Sequence, residues 1–352
     1  MNESYVRRCV HHFTAVTHTE MFRQCAARRW VGAGTLIHPT CILRCAAPAG
    51  PFTPSTSMIQ DLRHKTDAGV LDCRQALKES GGDMAKAIDW LQKKGAARAV
   101  KKTDRDTGYG VLLGCVPTEH PGLAAVVQLC AETDFAVKSE RFSLLAEELR
   151  QKVNTQLGTL STAGQLAPPK SQVMLPDSTL SAVLQEMVKE DVVSIASRMG
   201  ENVRIKAVWL LPAPDFASNP KIPEAMRPKP VCGPGGQAAI VVGSYAHNAP
   251  AGAPMVGSTI GLTSLWRLET PATLDAAQVA FAALPNTDPA VVAAANDVSQ
   301  HIVSVGGEVE KLTHQSLLGS AETVGKFMQR HRFALRSTLF LKFGMNDAIV
   351  SL

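Results

Sequence analysis

The chain has 352 residues, which is enough for two or three compact units that each bury an apolar core. Its formal net charge of +5 suggests nucleic-acid binding, but of the 36 basic and 31 acidic residues, six arginines and two glutamates lie in residues 1–57. The remaining 30 basic and 29 acidic residues nearly balance. The body of the chain is therefore close to neutral, and direct nucleic-acid binding loses its main support.

Residues 1–57 have the composition of an organellar targeting leader. They are rich in Arg, Ser, Thr and Ala, contain no lysine, and lack the single long apolar segment of a secretory signal. A disordered surface tail is the alternative, but arginine without lysine favours import. We expect cleavage of the leader between Arg44 and Met58.

The cysteines predict a reducing compartment. Four of the eight lie in the leader, and the other four (Cys73, Cys115, Cys130 and Cys232) form no C-x-x-C pair, so free thiols and no zinc site are expected. Residues 230–266 carry no charge but are interrupted by prolines and glycines. Because a spanning helix needs about 20 mostly apolar residues in an unbroken run, a buried hairpin is the better interpretation and no membrane association is expected.

The first elements after the leader form a predicted three-helix bundle over residues 58–95, followed by a basic connector over residues 96–107. Apolar residues recur at helical spacing, Asp83 can cap the third helix, and Gly95 stands at the expected end of that helix. The bundle helices are predicted at residues 58–65, 70–80 and 84–94.

A first core module is predicted over residues 108–211. Two strand-like runs flank a cluster of turn residues, which indicates an antiparallel hairpin. Helical patterns follow, and an alternating run closes the module as a half-buried strand. The predicted elements are strands at 108–116 and 123–131, a helix after Ser139, helices at 180–189 and 192–199, and a strand at 202–211.

Residues 212–234 contain seven prolines and are interpreted as a linker. After it the same order of elements recurs, which predicts a second core module over residues 235–352. The fold class is therefore α+β, with the bundle followed by two modules that each contain a hairpin, helices and a third strand. The second module is predicted to contain strands at 237–245 and 255–268, helices at 274–284, 290–305 and 323–331, and a strand at 333–343.

Groups suited to covalent catalysis are scarce. The segment 233–236 is glycine-rich but lacks the Lys-Ser/Thr of a phosphate loop, and the sequence has no His-x-x-x-His pair and no Gly-x-Ser-x-Gly elbow. Glu132 and Asp134 could form a carboxylate pair, but around a turn their side chains are expected to diverge into solvent. These absences favour a binding protein that needs no metal, cofactor or catalytic residue.

The junction after the second strand is the strongest candidate for a binding feature. An apolar run stops at Glu132, and a helical pattern resumes eight residues later. Thr133 and Asp134 favour a turn or a cap, and Phe135 follows them. Judged by itself, an aromatic residue at such a corner is expected to plug the core beneath it.

Residues 59–102 resemble the N-terminal domain of translation elongation factor Ts, a three-helix ubiquitin-associated-like bundle. The resemblance is carried by Thr66-x-Ala68-Gly69, Asp72-Cys73-x-x-Ala76-Leu77, Gly82-Asp83 and Ala87-Ile88-x-Trp90-Leu91. Further along, Glu132-Thr133-Asp134-Phe135-Ala136, Gly200-Glu201-Asn202-Val203 and Tyr245-x-His247 are similar to later motifs of the family.

The resemblance implies a guanine-nucleotide exchange factor for elongation factor Tu, and the leader indicates the mitochondrial type, acting in the matrix. In that family the Asp-Phe of the second motif inserts near the nucleotide-binding domain of the GTPase, and the bundle docks on the same domain. The implied wedge is Asp134 and Phe135, with Thr133 shaping the turn. The implied contacts elsewhere are Val70, Asp72, Cys73 and Leu77 in the bundle, with Leu77 equally suited to its core, and Tyr245 and His247 in the second module.

Two departures from the family pattern bear on loop geometry, since Asp67 replaces a glycine and Ala136 replaces a valine. Two other functions stay open on the sequence. One is a ubiquitin-binding adaptor, because the bundle is ubiquitin-associated-like. The other is a structural subunit of an organellar assembly that has kept the fold without exchange activity.

Overall fold

The computed structural model describes residues 52–120, 122–167, 169, 175–213, 230–231, 239–269 and 275–351. Residues 1–51 of the predicted leader, most of the proline-rich segment and Cys232 lie outside the described residues. The described part is α+β, as predicted. Its helices are α1 (Thr56–Thr66), α2 (Val70–Glu79), α3 (Met84–Val100), α4 (Asp134–Val137), α5 (Glu140–Thr162), α6 (Ser178–Met187), α7 (Lys189–Met199), α8 (Ala276–Ala283), α9 (Pro289–Ser304) and α10 (Val324–Arg330). Its strands are β1 (Tyr109–Cys115), β2 (Ala125–Ala131), β3 (Val203–Leu210), β4 (Ile240–His247), β5 (Val256–Gly257), β6 (Thr259–Arg267), β7 (Phe333–Lys342) and β8 (Ile349–Ser351).

Helices α1, α2 and α3 pack around one small apolar core. Ser55 caps α1 by accepting a hydrogen bond from the Met58 N–H at 3.3 Å, so the helix begins before the predicted position. Phe52 packs against the bundle core from the N-terminal side. The ordered bundle therefore starts ahead of residue 58. The fully buried core residues are Leu62, Cys73, Ala76, Leu77 and Ala87.

The predicted end of the third helix at Gly95 is wrong, since α3 continues to Val100. The predicted cap is confirmed, because the Asp83 carboxylate accepts hydrogen bonds from the Ala85 and Lys86 N–H groups. A Cβ atom at Gly95 would lie 1.9 Å from Ser197 Oγ on α7. Glycine at this position therefore does not end the helix; it allows α3 and α7 to approach closely.

The strands form two four-stranded sheets, in the orders β3-β2-β1-β5 and β4-β6-β7-β8. Both predicted hairpins are present, as antiparallel pairs β1–β2 and β4–β6. The prediction of a single strand at 255–268 is wrong. It divides at Ser258, and β5 pairs with β1 of the first sheet while β6 pairs with β4 and β7. The short last strand, β8, has no counterpart among the predicted elements.

The two sheets pack face to face and carry helices on their outer faces. Leu112 and Val126 of the first sheet pack against Ile260 and Leu262 of the second. The neighbouring residues on the first sheet point the other way, toward α5, α6 and α7, because successive side chains of a strand alternate between its faces. The second sheet is covered by α9 and α10. Strands β2 and β6 are consequently buried along their whole length.

None of the helices in the described ranges is both long and apolar enough to cross a membrane.

The contact of α3 with α7 predicts that a side chain at position 95 separates the two helices. Gly95→Val should destabilise the chain by about 1–3 kcal/mol, because overpacked sites force the backbone to shift. Gly108→Val is the matched control, since a Cβ atom there meets nothing within 4 Å, and its effect should stay within about 0.5 kcal/mol. Urea unfolding of both variants measures the difference, and equal midpoints would contradict it.

Candidate partner-binding site

The corner after β2 holds a large aromatic side chain in solvent. Thr133 caps the single-turn helix α4 by accepting a hydrogen bond from the Ala136 N–H at 3.2 Å. Ser139 caps α5 in the same way, through the Phe142 N–H. Between the two caps Phe135 is 87% exposed. This exposure is what the family resemblance implies for Phe135, and the expectation from its position alone, that it plugs the core, is wrong.

Glu132 and Glu201 hold this corner together, because each carboxylate accepts a hydrogen bond from the residue that follows the other glutamate. The Glu132 carboxylate accepts a hydrogen bond from the Asn202 N–H at 2.6 Å. The Glu201 carboxylate accepts hydrogen bonds from the Thr133 N–H at 3.2 Å and from the Thr133 hydroxyl at 2.7 Å. Because β2 and β3 are antiparallel neighbours, the end of β2 lies beside the start of β3. We call Glu132, Thr133, Glu201 and Asn202 the corner clamp.

The corner clamp also holds the segment that follows α3. Arg105 Nη1 lies 3.2 Å from Glu132 Oε2, and the Asn202 side-chain amide donates to the carbonyls of Thr103 and Arg105. The Glu132 side chain is 16% exposed. Its predicted place in a solvated pair with Asp134 is therefore wrong, because the Glu132 carboxylate joins the end of β2 to the segment after α3 and to the start of β3.

The two neighbours of Phe135 point in opposite directions. Asp134 lies in solvent and pairs with Lys138 one turn later, at 2.6 Å, and this hydrogen bond raises the pKa of the Lys138 ammonium. Ala136 is buried beneath the helix. Position 136, where the family pattern has a valine, therefore belongs to the packing beneath α4 and not to its exposed surface.

The candidate residues of the bundle divide into exposed and buried groups. Val70 is 49% exposed and Leu71 is 80% exposed. Cys73 and Leu77 are fully buried in the bundle core, so neither offers a surface to a partner, and the interpretation of Leu77 as core agrees with its burial. The exposure of Leu71 could have been predicted from the sequence, because Leu71 lies outside the apolar stripe of α2 and so does not face the core.

Asp72 joins α2 to α3 within the bundle. Its carboxylate lies 2.7 Å from Arg98 Nη1 and 3.0 Å from Lys94 Nζ. The hydrogen bond from Arg98, followed by that from Lys94, holds the pKa of Asp72 below its usual value, against the opposing effect of burial. The predicted docking residue therefore already has two intramolecular partners.

Tyr245 and His247 lie on a different sheet from the corner. They follow each other on the same face of β4, with ring centroids 6.5 Å apart. His247 is exposed and Tyr245 is partly buried. Both line a cleft of about 740 Å³, together with Leu318 and Phe340. Both residues belong to the second sheet, whereas Phe135 follows a strand of the first sheet.

The buried thiols are chemically quiet. Burial raises the pKa of Cys115 to about 12 and that of Cys130 to about 11. Cys73, Cys115 and Cys130 are free, as predicted. Over the described residues, no group of three or more His, Cys, Asp or Glu side chains is placed to hold a metal ion.

Comparison with known proteins identifies relatives along most of the chain, although no family model matches it. "Elongation factor Ts 1, mitochondrial" of Trypanosoma cruzi is 33% identical over 290 residues, which cover 82% of this chain and 86% of the relative. This chain belongs to the elongation factor Ts family. The mitochondrial elongation factor Ts of Leishmania major is 29% identical over 309 residues, 87% of this chain and 95% of its own length. Elongation factor Ts of Nitratidesulfovibrio vulgaris is 43% identical over 113 residues, 32% of this chain and 39% of its own.

Membership in the elongation factor Ts family gives the chain its role in translation elongation, as a nucleotide exchange factor for elongation factor Tu. Its relatives over most of the chain are named as mitochondrial elongation factors, and this chain is accordingly assigned to the mitochondrion. The comparisons favour neither alternative, because a ubiquitin-binding adaptor accounts for the bundle alone and the relatives that match most of the chain are named as elongation factors.

The corner clamp predicts a local role for the Thr133 hydroxyl. Thr133→Val removes both the cap of α4 and the hydrogen bond to Glu201, which together contribute about 1–2 kcal/mol. Amide hydrogen exchange over residues 134–138 should accelerate in this variant. Thr133→Ser keeps the hydroxyl and should exchange as the parent does. Unchanged protection in the valine variant would mean that the clamp does not order the corner.

The ion pairs of Asp72 predict a pH-dependent contribution to stability. Because its pKa is lower in the folded chain than the usual value near 3.8, the contribution is present above that value and is lost as the pH falls through the folded pKa. Asp72→Asn should lower the free energy of unfolding at pH 7 by up to about 1 kcal/mol. The difference between the parent and the variant should be smaller at pH 3 than at pH 7.

Urea titrations at the two pH values measure the effect of Asp72→Asn. Asp61→Asn is the matched control, because Asp61 is exposed on α1 and makes no ion pair with any described residue. A difference between parent and Asp72→Asn that stays constant from pH 7 to pH 3 would contradict the assignment to charge.

Proposed function

We propose that Phe135, carried with Asp134 on α4, is the wedge by which this chain opens the nucleotide site of elongation factor Tu. The observation that supports the proposal is the exposure of Phe135 on a one-turn helix that is capped at its start and anchored by the corner clamp. Large aromatic side chains in solvent are uncommon in folded proteins, and they are enriched among the residues that dominate protein–protein binding energies.

The anchoring of the corner explains how a small surface could act strongly. A side chain that is already held in its binding position loses little conformational entropy when it inserts into a partner. Caps on both sides of α4 and the hydrogen bonds of Glu132 and Glu201 supply that preorganisation. The exposed Asp134 adds a negative charge next to the aromatic ring, and its neighbour Lys138 partly screens it.

Exchange by this route requires differential binding and no covalent chemistry. The factor must bind the nucleotide-free GTPase more tightly than the GDP-bound form, and by linkage GDP weakens the factor as much as the factor weakens GDP. An inserted wedge that displaces the elements around the phosphates and Mg²⁺ binds the emptied site better and so supplies this difference. The proposal therefore assigns no catalytic residue and no cofactor to the chain.

The bundle is proposed as a second contact on the same GTPase, in a ubiquitin-associated-like arrangement. Val70 and Leu71 at the start of α2 are its contact residues, because they are the exposed apolar side chains of that helix. Asp72 is proposed to act indirectly, by holding α2 against α3, and Cys73 and Leu77 by packing the core. Tyr245 and His247 are proposed as a third contact, through the cleft that they share with Leu318.

The domain division is part of this proposal. It consists of the leader, the bundle, the connector, the two core modules and the proline-rich linker between them. Two boundaries differ from those predicted at residues 58 and 95. Phe52 and Ser55 contribute to the bundle, and α3 runs into the connector as far as Val100. The leader is accordingly proposed to end before Phe52.

The wedge predicts a specific loss in Phe135→Ala. Release of fluorescent GDP from the cognate elongation factor Tu should slow at least about 30-fold at saturating factor, as expected for an aromatic residue that dominates an interface. The free energy of unfolding should stay within about 1 kcal/mol of the parent, because the side chain packs against little of the fold.

Leu175→Ala is the matched control for Phe135→Ala, because it also truncates a large exposed apolar side chain. It should release GDP at the parental rate. Parental rates in both variants would refute the wedge, whereas unfolding of Phe135→Ala would restore the core-plug interpretation.

The leader predicts that two deletions behave differently. Removal of residues 1–50 should abolish import into isolated mitochondria and leave exchange intact, because Phe52 and Ser55 are retained. Removal of residues 1–57 deletes the α1 cap as well, and a lost cap costs about 1 kcal/mol. Loss of exchange in the shorter deletion would show that the segment is more than a targeting signal.

A further inference from the structure

We infer that Asp67 is a positioning residue, which holds the bundle in a fixed orientation to the corner so that Val70, Leu71 and Phe135 engage one GTPase together. The inference rests on the proposed function of these contacts. It concerns a residue at which this chain departs from the family pattern, and it assigns a role to the departure.

The backbone at Asp67 makes the choice of residue informative. Asp67 ends α1 in the left-handed conformation, with φ 54° and ψ 16°, and its N–H donates to the Arg63 carbonyl at 2.7 Å. Glycine adopts this conformation without strain, while Asp and Asn are among the few other residues that tolerate it. The backbone therefore accepts Asp67 without requiring its carboxylate, and any effect of the carboxylate on the fold comes from the groups that it contacts.

The Asp67 carboxylate bridges the bundle to two helices of the core. Its Oδ2 lies 3.2 Å from Arg141 Nη2, in the first turn of α5, and 3.9 Å from Arg198 Nη2, in the last turn of α7. Arg198 is held in turn by Glu148, at 3.6 Å. Arg141 follows Phe135 by six residues, and Arg198 precedes Glu201 of the corner clamp by three. One carboxylate thus reaches the chain on both sides of the corner.

Arg141 depends on Asp67 for its charge partner. Among the described residues, Asp67 provides the only carboxylate within 4.0 Å of the Arg141 guanidinium. The Nε and Nη2 atoms of Arg141 are buried and have no hydrogen-bond partner in the described part of the chain. The Arg141 side chain as a whole is 40% exposed, so the pair contributes modestly, but its two shielded nitrogen atoms favour a carboxylate at the position of Asp67.

The other attachments of the bundle to the core, among the described residues, lie on α3 and the segment after it: Ala99 is buried in the core of the first sheet, and Lys102 donates a hydrogen bond to the Gly200 carbonyl. Helices α3 and α7 touch closely at Gly95 and Ser197, but a cleft of about 690 Å³ separates α1 and α3 from α7 beside that contact. Asp67 and Arg198 both line the cleft. Asp67 adds an attachment at the end of α1, away from α3, and so opposes a rotation of the bundle about the α3 contact.

Fixed orientation matters because the bundle and the wedge act as linked binding sites. When one of two linked contacts has formed, the effective concentration of the second depends on how well the linkage presents it. Loosening the bundle should therefore weaken the apparent affinity for the GTPase. The action of Phe135 should persist once the complex has formed, so the maximal rate of GDP release should not change.

The test measures GDP release from the cognate elongation factor Tu over a range of factor concentrations. Asp67→Asn keeps the size and the tolerance for positive φ, and removes the charge. Its half-saturating concentration should rise about fivefold, as for loss of an exposed ion-pair network, with the maximal rate unchanged. Phe135→Ala should instead lower the maximal rate. Asp61→Asn, which removes an exposed charge from α1, should match the parent.

Arg141→Gln completes the test as a double-mutant cycle. It should reproduce the shift of Asp67→Asn, and the double variant should show no further increase, because the two residues form one contact. High salt should move the parent toward the variants by screening the pair. Asp67→Gly also lacks the carboxylate, but glycine adopts the positive φ of this position without strain. The same rise in half-saturating concentration in Asp67→Gly would therefore exclude misfolding as its cause.

Each outcome separates this inference from the proposed function. A parent chain that does not accelerate GDP release, or a Phe135→Ala variant that equals the parent, refutes the proposed function. A parent that is active, with Asp67→Asn and Asp67→Gly within twofold of its half-saturating concentration, overturns the role of Asp67. Additive shifts in the Asp67→Asn and Arg141→Gln double variant would overturn it as well.

Discussion

The reciprocal hydrogen bonds of Glu132 and Glu201 are the contact on which the candidate site depends. They connect the end of β2 to the start of β3, and through Arg105 and Asn202 they attach the segment after α3 to the same point. Hydrogen bonds to charged groups contribute more than neutral ones. Phe135 can therefore stand in solvent on a helix of one turn, which would not hold its shape alone.

Two packed sheets place this corner on a rigid base. Their inner faces form one apolar core, and helices cover both outer faces, so the ends of β2 and β3 cannot shift independently. Strand β5 extends the first sheet although it lies between β4 and β6 in the chain, and so links the two sheets covalently and by hydrogen bonds. Rigid elements that carry a short exposed segment suit a protein whose activity consists of binding.

The bundle shows how the same residue types serve packing and recognition within one helix. Cys73 and Leu77 of α2 face α1 and α3 and are fully buried, while Leu71 lies outside that stripe in solvent. Asp72, between these groups, holds α2 to α3 through Lys94 and Arg98. A family motif of contiguous residues therefore mixes core positions with surface positions, and helical geometry separates them.

The sequence by itself determined where most helices and strands lie, together with the cap at Asp83, because these signals act over a few neighbouring residues. It also carried the family motifs that led to the exchange-factor assignment. The exposure of Phe135 was implied by those motifs, although its position alone suggested burial. Only the tertiary structure decided that Glu132 is a structural ligand, that α3 passes Gly95, and that β5 joins the first sheet. The reason is physical: burial and hydrogen bonding at these positions depend on residues far along the chain, and Glu132 and Asn202 are 70 positions apart.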